Sequence, residues 1–88
     1  MPYILQARRD DLKAVVASIE SIRIDNPGEL NYLISILFKI YLKQHGINYR
    51  IFNEIIGAGE CAKMELYRRL LAKLEDAKII DNGDIYNE

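Results

Sequence analysis

Apolar residues recur along this chain at spacings of three and four, the period of an amphipathic helix and not the alternation of a strand. Leu12, Val15, Val16, Ile19 and Ile22 share one face and predict a first helix over residues 8–24. Asp10 and Asp11 lie in its first turns, where negative charge complements the positive end of the helix dipole. Asp25-Asn26-Pro27-Gly28 then reads as a stop, because proline offers no amide donor and pushes its predecessor out of the α region. A second helix is expected over residues 29–44, ended by His45 and Gly46. Its apolar positions leave only Ser35, Lys39 and Lys43 as a polar line, and a helix of that kind must be covered on several sides.

Asn48 can cap a short third helix over residues 49–56, with Ile51, Phe52, Ile55 and Ile56 on one face and Gly57-Ala58-Gly59 at its end. The fourth and longest helix is expected from residue 60 to about residue 80. Met64, Tyr67, Leu71 and Leu74 form one stripe of it, and Ala62, Leu66, Leu70 and Ala77 form a second beside the first. Asn82-Gly83 reads as the helix stop in preference to a hairpin turn, since two three-residue strands alone would be unstable. The expected fold is therefore all-α: one domain over residues 1–88, with four helices, a long C-terminal helix and a short non-helical tail at 81–88. The apolar surface on 32–42 and 64–74 exceeds what so short a chain covers, which predicts a homo-oligomer.

Composition narrows the partners. Half of the 88 residues are hydrophobic and 28% are charged, so the chain should fold. Twelve Lys+Arg against thirteen Asp+Glu give a net charge of −1, which supplies no long-range field toward duplex nucleic acid or an anionic membrane. The most apolar segment, 32–42, is far shorter than the roughly 20 residues of a membrane span. Cys61 is the one cysteine, so neither an internal disulfide nor a zinc site of several thiolates is available, and a cytoplasmic location is expected. The opening Met1-Pro2-Tyr3 carries no secretory-signal pattern.

The densest cluster of candidate chemistry spans residues 60–69. Lys63, Arg68 and Arg69 place three cations within two helical turns, while Tyr67 and Tyr86 offer aromatic faces. Guanidinium forks and a stacking ring are what a phosphate and a nucleobase require, so these five are the candidate ligand-binding residues. On an ideal helix Lys63 lies about 140° from Arg68 and about 120° from Arg69, so convergence needs a second subunit or the tail. The alternative is a solvated face on which Glu65 pairs with Arg68 or Arg69.

Other features carry less. Gly57-Ala58-Gly59 could present amides to an anion, but Glu60 puts a carboxylate there, and a close helix–helix turn is the preferred reading. The same segment resembles the turn of a helix-turn-helix, with Phe52, Ile56, Ala58 and Leu66 suitably placed. Lys63 stands where that motif has an apolar residue, and together with the net charge this argues against duplex binding. Cys61 is expected as buried packing and His45 as a helix-end residue. Asp81, Asp84 and Glu88 do not match a calcium loop. No enzyme, metal or cofactor is implied.

Gly28-Glu29-Leu30-Asn31-Tyr32, residues 53–57, the 60–69 cluster and Asn82-Gly83-Asp84-Ile85-Tyr86 together resemble a small family of uncharacterised phage and prophage proteins. In that family a GDLNY start, an ECAKLEFYRR-like helix and an ENGDVY-like ending recur. The resemblance covers about residues 28–86. Members often carry a proline after the long-helix motif, where this chain has Leu71-Ala72-Lys73-Leu74, so the proline kink has no cause here. The resemblance implies a mobile-element setting and no activity. The expected function is a non-enzymatic helical binding protein that sequesters a phosphorylated small ligand such as a nucleotide signal. The alternatives are a nucleic-acid-binding regulator with residues 60–70 as recognition helix, and a protein adaptor or scaffold.

Overall fold

The computed structural model describes residues 2–86, and no strand occurs among them. Helices α1 (Gln6–Asp11) and α2 (Lys13–Glu20) are followed by α3 (Pro27–His45) and α4 (Tyr49–Leu66). A π-helical turn over Tyr67–Leu71 joins α4 to α5 (Ala72–Asn82) with no break in the backbone. Residues 49–82 thus form one rod, and the described residues hold four continuous helices with the longest at the C-terminal end. At about 1.5 Å per residue that rod is ~50 Å long, which accounts for the 50 Å longest dimension of the chain.

The division of the chain differs from the expected one in three places. The first is the N-terminal helix, interrupted at Leu12 and finished at Glu20 instead of running over 8–24. The Ser21 hydroxyl turns back to donate to the Ser18 carbonyl at 2.6 Å, and Ile22 N–H bonds only three residues back, to Ile19. Such local bonds compete with helix continuation. Ile22 and Ile24, being β-branched, are also at ease in extended backbone.

The second is the start of α3. Asn26 and Pro27 open this helix and do not end the one before it, which has already finished at Glu20. Pro27 takes a first-turn position, where its missing N–H costs nothing. The Asn26 side chain accepts from Glu29 N–H at 2.9 Å, and Glu29 in turn accepts from Asn26 Nδ2 and from Asp25 N–H, a reciprocal cap.

The third is Gly57-Ala58-Gly59, which lies inside α4 and is not a turn. The expected third and fourth helices are one helix, and the helix-turn-helix geometry over 57–70 is absent with its turn. Gly59 lies against the Phe38 ring of α3: a Cβ there would stand 3.1 Å from Phe38 Cζ. Glycine is therefore used to let two helices approach, at some cost in helix propensity. The two helices meet through the connection Gly46-Ile47-Asn48. Gly46 takes φ +103°, which favours glycine, and Asn48 caps α4 by accepting from Ile51 N–H at 3.1 Å.

The α3–α4 crossing holds the core. Ile51 (1% exposed) and Ile55 (8%) are the two buried hydrophobic side chains among the described residues, with Leu33, Ile36, Tyr41 and Leu42 half-buried around them. Tyr41 ties the far side of the crossing by donating to Glu54 Oε1 at 2.7 Å, and its ring stacks on His45 at 4.2 Å. Beyond Gly59 the rod leaves α3 behind, and α1 and α2 make no close backbone contact with α3, α4 or α5. The C-terminal helix stops where expected, at Asn82, with Gly83 at φ +93°. Of the expected tail, residues 83–86 are non-helical, and 87 and 88, including the Glu88 weighed for calcium, lie outside the described residues.

The two glycines of α4 respond differently to a methyl group. At Gly57 a Cβ meets nothing within 4 Å, so Gly57→Ala raises stability by about 0.5–1 kcal/mol. Gly59→Ala pushes on the Phe38 ring and gains less. Denaturant melts of both variants check this, and equal gains would mean that Phe38 does not rest on Gly59.

Candidate functional site

The bare C-terminal part of the rod carries an open groove of about 1010 Å³ whose floor is Met64, Tyr67, Leu70, Leu71 and Leu74. These side chains are apolar because they occupy one face of the helix, and they remain exposed, Met64 at 59% and Leu74 at 58%. The π-helical turn at Tyr67–Leu71 lies in the middle of the groove. Such turns are rare and recur at functional positions.

The five candidate binding residues are distributed over three surfaces. Lys63, Tyr67 and Arg68 all border the groove. Arg69 faces a different hollow, of about 420 Å³, with Pro2, Tyr3 and Lys73. Tyr86 lies in a third, of about 440 Å³, which it shares with Tyr67 and with the carboxylates of Glu75, Asp76 and Asp84. Acids outnumber Lys78 there, so that hollow repels a phosphate.

The cations that border the groove are already matched. Lys63 Nζ lies 2.9 Å from Glu60 Oε1, one turn back. Arg68 grips both oxygens of Glu65 through Nε and Nη2. Across the same carboxylate Tyr3 donates its hydroxyl to Glu65 Oε1 at 2.8 Å, which ties the N-terminal segment to the rod. Glu65 is the least exposed member of these pairs, with 21% of its side chain accessible. The Arg68 guanidinium, then the Tyr3 hydroxyl, hold its carboxyl below the usual glutamate range. The same hydrogen bond, joined by partial burial, pushes the Tyr3 phenol above its ordinary value.

Tyr3 is the participant that sequence reasoning missed. It belongs to no periodic pattern, and nothing local relates it to a residue 62 positions away. The pairing of Glu65 with Arg68 was legible from its i, i+3 spacing. Cys61, expected to be buried, is exposed, since the helix face it occupies has no partner element. Among the described residues no three of His, Cys, Asp and Glu gather within metal-binding reach. No helix there is long and apolar enough to cross a membrane.

What the arrangement offers is an apolar trough bordered by neutralised ion pairs, a surface suited to another helix more than to a free anion. A family model described as a domain of unknown function, DUF6899, matches residues 1–85, and the chain belongs to that family. The match takes in the N-terminal helices as well as the motif region. No curated protein and no solved structure matches the chain.

The Tyr3–Glu65–Arg68 tie has a defined pH window. Because the folded Glu65 pKa is lowered, its contribution is present above the ordinary glutamate range and is lost as pH falls through the lowered value. Because the folded Tyr3 pKa is raised, its contribution is present below the ordinary tyrosine value and is lost as pH rises through the raised one. Tyr3→Phe releases the N-terminal segment. Hydrogen–deuterium exchange at pH 7 should therefore quicken over residues 4–12 and stay unchanged over 49–56. A carboxyl titration by NMR should show Glu65 moving toward its ordinary value in Tyr3→Phe, and further in Arg68→Ala. Unaltered exchange and an unmoved Glu65 would contradict the tie.

Proposed function

We propose that this DUF6899 protein is a non-enzymatic helical interaction module, a small scaffold or adaptor that works as an assembly of identical chains in the mobile-element setting its sequence resemblance implies. The observation that carries the reading is the surface left bare. The chain exposes 8075 Å², whereas a compact monomer of 10.2 kDa exposes about 5,300 Å². Its radius of gyration is 17.2 Å, against ~12 Å for a compact chain of this length. The excess, roughly 2,800 Å² by that scaling, is more than one partner contributes to a standard interface.

The bare surface is apolar where it matters. Leu37, Ile40, Val15, Ile22, Met64, Tyr67 and Leu74 all stand more than 40% exposed. Each large apolar side chain withdrawn from water contributes about 1.5–3 kcal/mol, so a partner that covers several of them is strongly favoured. Light scattering coupled to size exclusion at micromolar concentration tests the reading. A mass of two chains or more is expected, shifting toward one chain in Leu71→Glu and Leu74→Glu. A folded single chain at every concentration would contradict it.

A second reading, the binding of a phosphorylated small ligand, is favoured by Arg69 and Lys73. They lie one turn apart, ion-pair with nothing among the described residues, and border one hollow with Tyr3. A neighbouring copy could add Lys63, Tyr67, Arg68 or Tyr86. Charge-assisted hydrogen bonds of this kind contribute about 1.5–3 kcal/mol. Replacing Arg68 and Arg69 together by alanine therefore weakens binding at least about tenfold in calorimetric titrations with mono-, di- and cyclic nucleotides. No binding to the parent protein, or equal binding by the variant, would contradict this second reading.

A further inference from the structure

The groove runs along the part of the rod that α3 does not reach. On the N-terminal side of it, Gly59 is pressed against Phe38 and Ile51 and Ile55 are buried. On its C-terminal side the helix ends at Asn82. Between these limits the residues Glu60, Met64, Tyr67, Leu71, Leu74 and Lys78 are spaced alternately by four and three, the seam of a paired helix. The four central ones line one groove across the π-helical turn. Such a seam needs a second helix of matching length.

We infer that this occupant is the same segment of a second copy, lying antiparallel across a two-fold axis at the level of Arg69. This rests on the self-assembly reading above and gives it a register. Reversing the segment about that level sets Met64 opposite Leu74 and Tyr67 opposite Leu71, each in both directions. It also sets Glu60 level with Lys78 and Lys63 level with Glu75. Every charged level then holds opposite signs or a charge against an uncharged residue, with one exception.

The exception is Arg69, which would meet its own copy at the axis. It lies away from the groove, in the hollow beside Tyr3, so its charge is not brought to the axis. A parallel pairing in register has the opposite property, because it sets every one of these charges against its own sign. Like charges brought together in this way are selected against. A two-fold contact of this kind uses one patch on both chains and closes on itself. It covers part of the excess surface, since about 800 Å² per chain is what a stable pair withdraws from water.

The test is disulfide trapping in full-length protein with Cys61→Ser as background. Met64→Cys and Leu74→Cys are made singly and together, and each is checked for retained helicity by circular dichroism. Within one chain the two positions are ~15 Å apart along the helix, too far for a disulfide, whose Cα atoms lie roughly 4.4–6.8 Å apart. Under mild oxidation only the double variant is expected to give a covalent dimer. Crosslinking of either single variant would show a parallel pairing and overturn the inference. A multimeric protein in which no variant crosslinks would overturn the register while leaving the self-assembly reading intact. A single chain by light scattering would overturn both.

Discussion

The whole architecture depends on one contact, the crossing of α3 over the first half of the rod at Ile51, Ile55 and Gly59. Among the described residues it is the place where hydrophobic side chains are buried, and it is made by two helices joined through three residues. Everything else is attached to that hairpin at a distance. The rod carries on past the crossing because Gly57-Ala58-Gly59 stays helical, and the N-terminal segment is held by the hydroxyl of Tyr3 on Glu65. A core of this size is small for a domain, whose conformational entropy of order 1–2 kcal/mol per residue must be offset by burial.

That shortage connects the fold to the functional reading. The exposed apolar stripes of α2, α3 and the rod are regular, amphipathic and continuous, which is what helices look like when their partner is missing. The cations first attractive as phosphate ligands are largely matched by carboxylates one turn away, Lys63 by Glu60 and Arg68 by Glu65. What remains along the groove is apolar contact surface with ion pairs at its edge, the composition of a helix interface more than of an anion pocket.

Much of this was legible in the sequence, and the failures have physical causes. The periodicity of Ile51, Phe52, Ile55 and Ile56, the cap at Asn48 and the stop at Gly83 identify an all-helical chain and its C-terminal end. The excess of apolar helix surface was equally readable. Gly57-Ala58-Gly59 misled because glycine is both a helix breaker and the residue that permits close helix approach. Only the position of Phe38 in space distinguishes the two uses. Pro27 misled because proline ends one helix as readily as it starts the next, and the Asn26–Glu29 cap decides between them. The π-helical turn had no local signal. The Tyr3 contact is long-range and carried by one hydrogen bond, which leaves no pattern along the chain.

Under the proposed self-assembly, folding of this chain is completed by association. The most direct measurement is the thermal unfolding midpoint, followed by circular dichroism, as a function of protein concentration. When association and folding are coupled, mass action raises the midpoint as the concentration rises. Self-assembly of this chain gives that steady rise, with loss of helicity on dilution. A midpoint independent of concentration over the range from nanomolar to millimolar would contradict it.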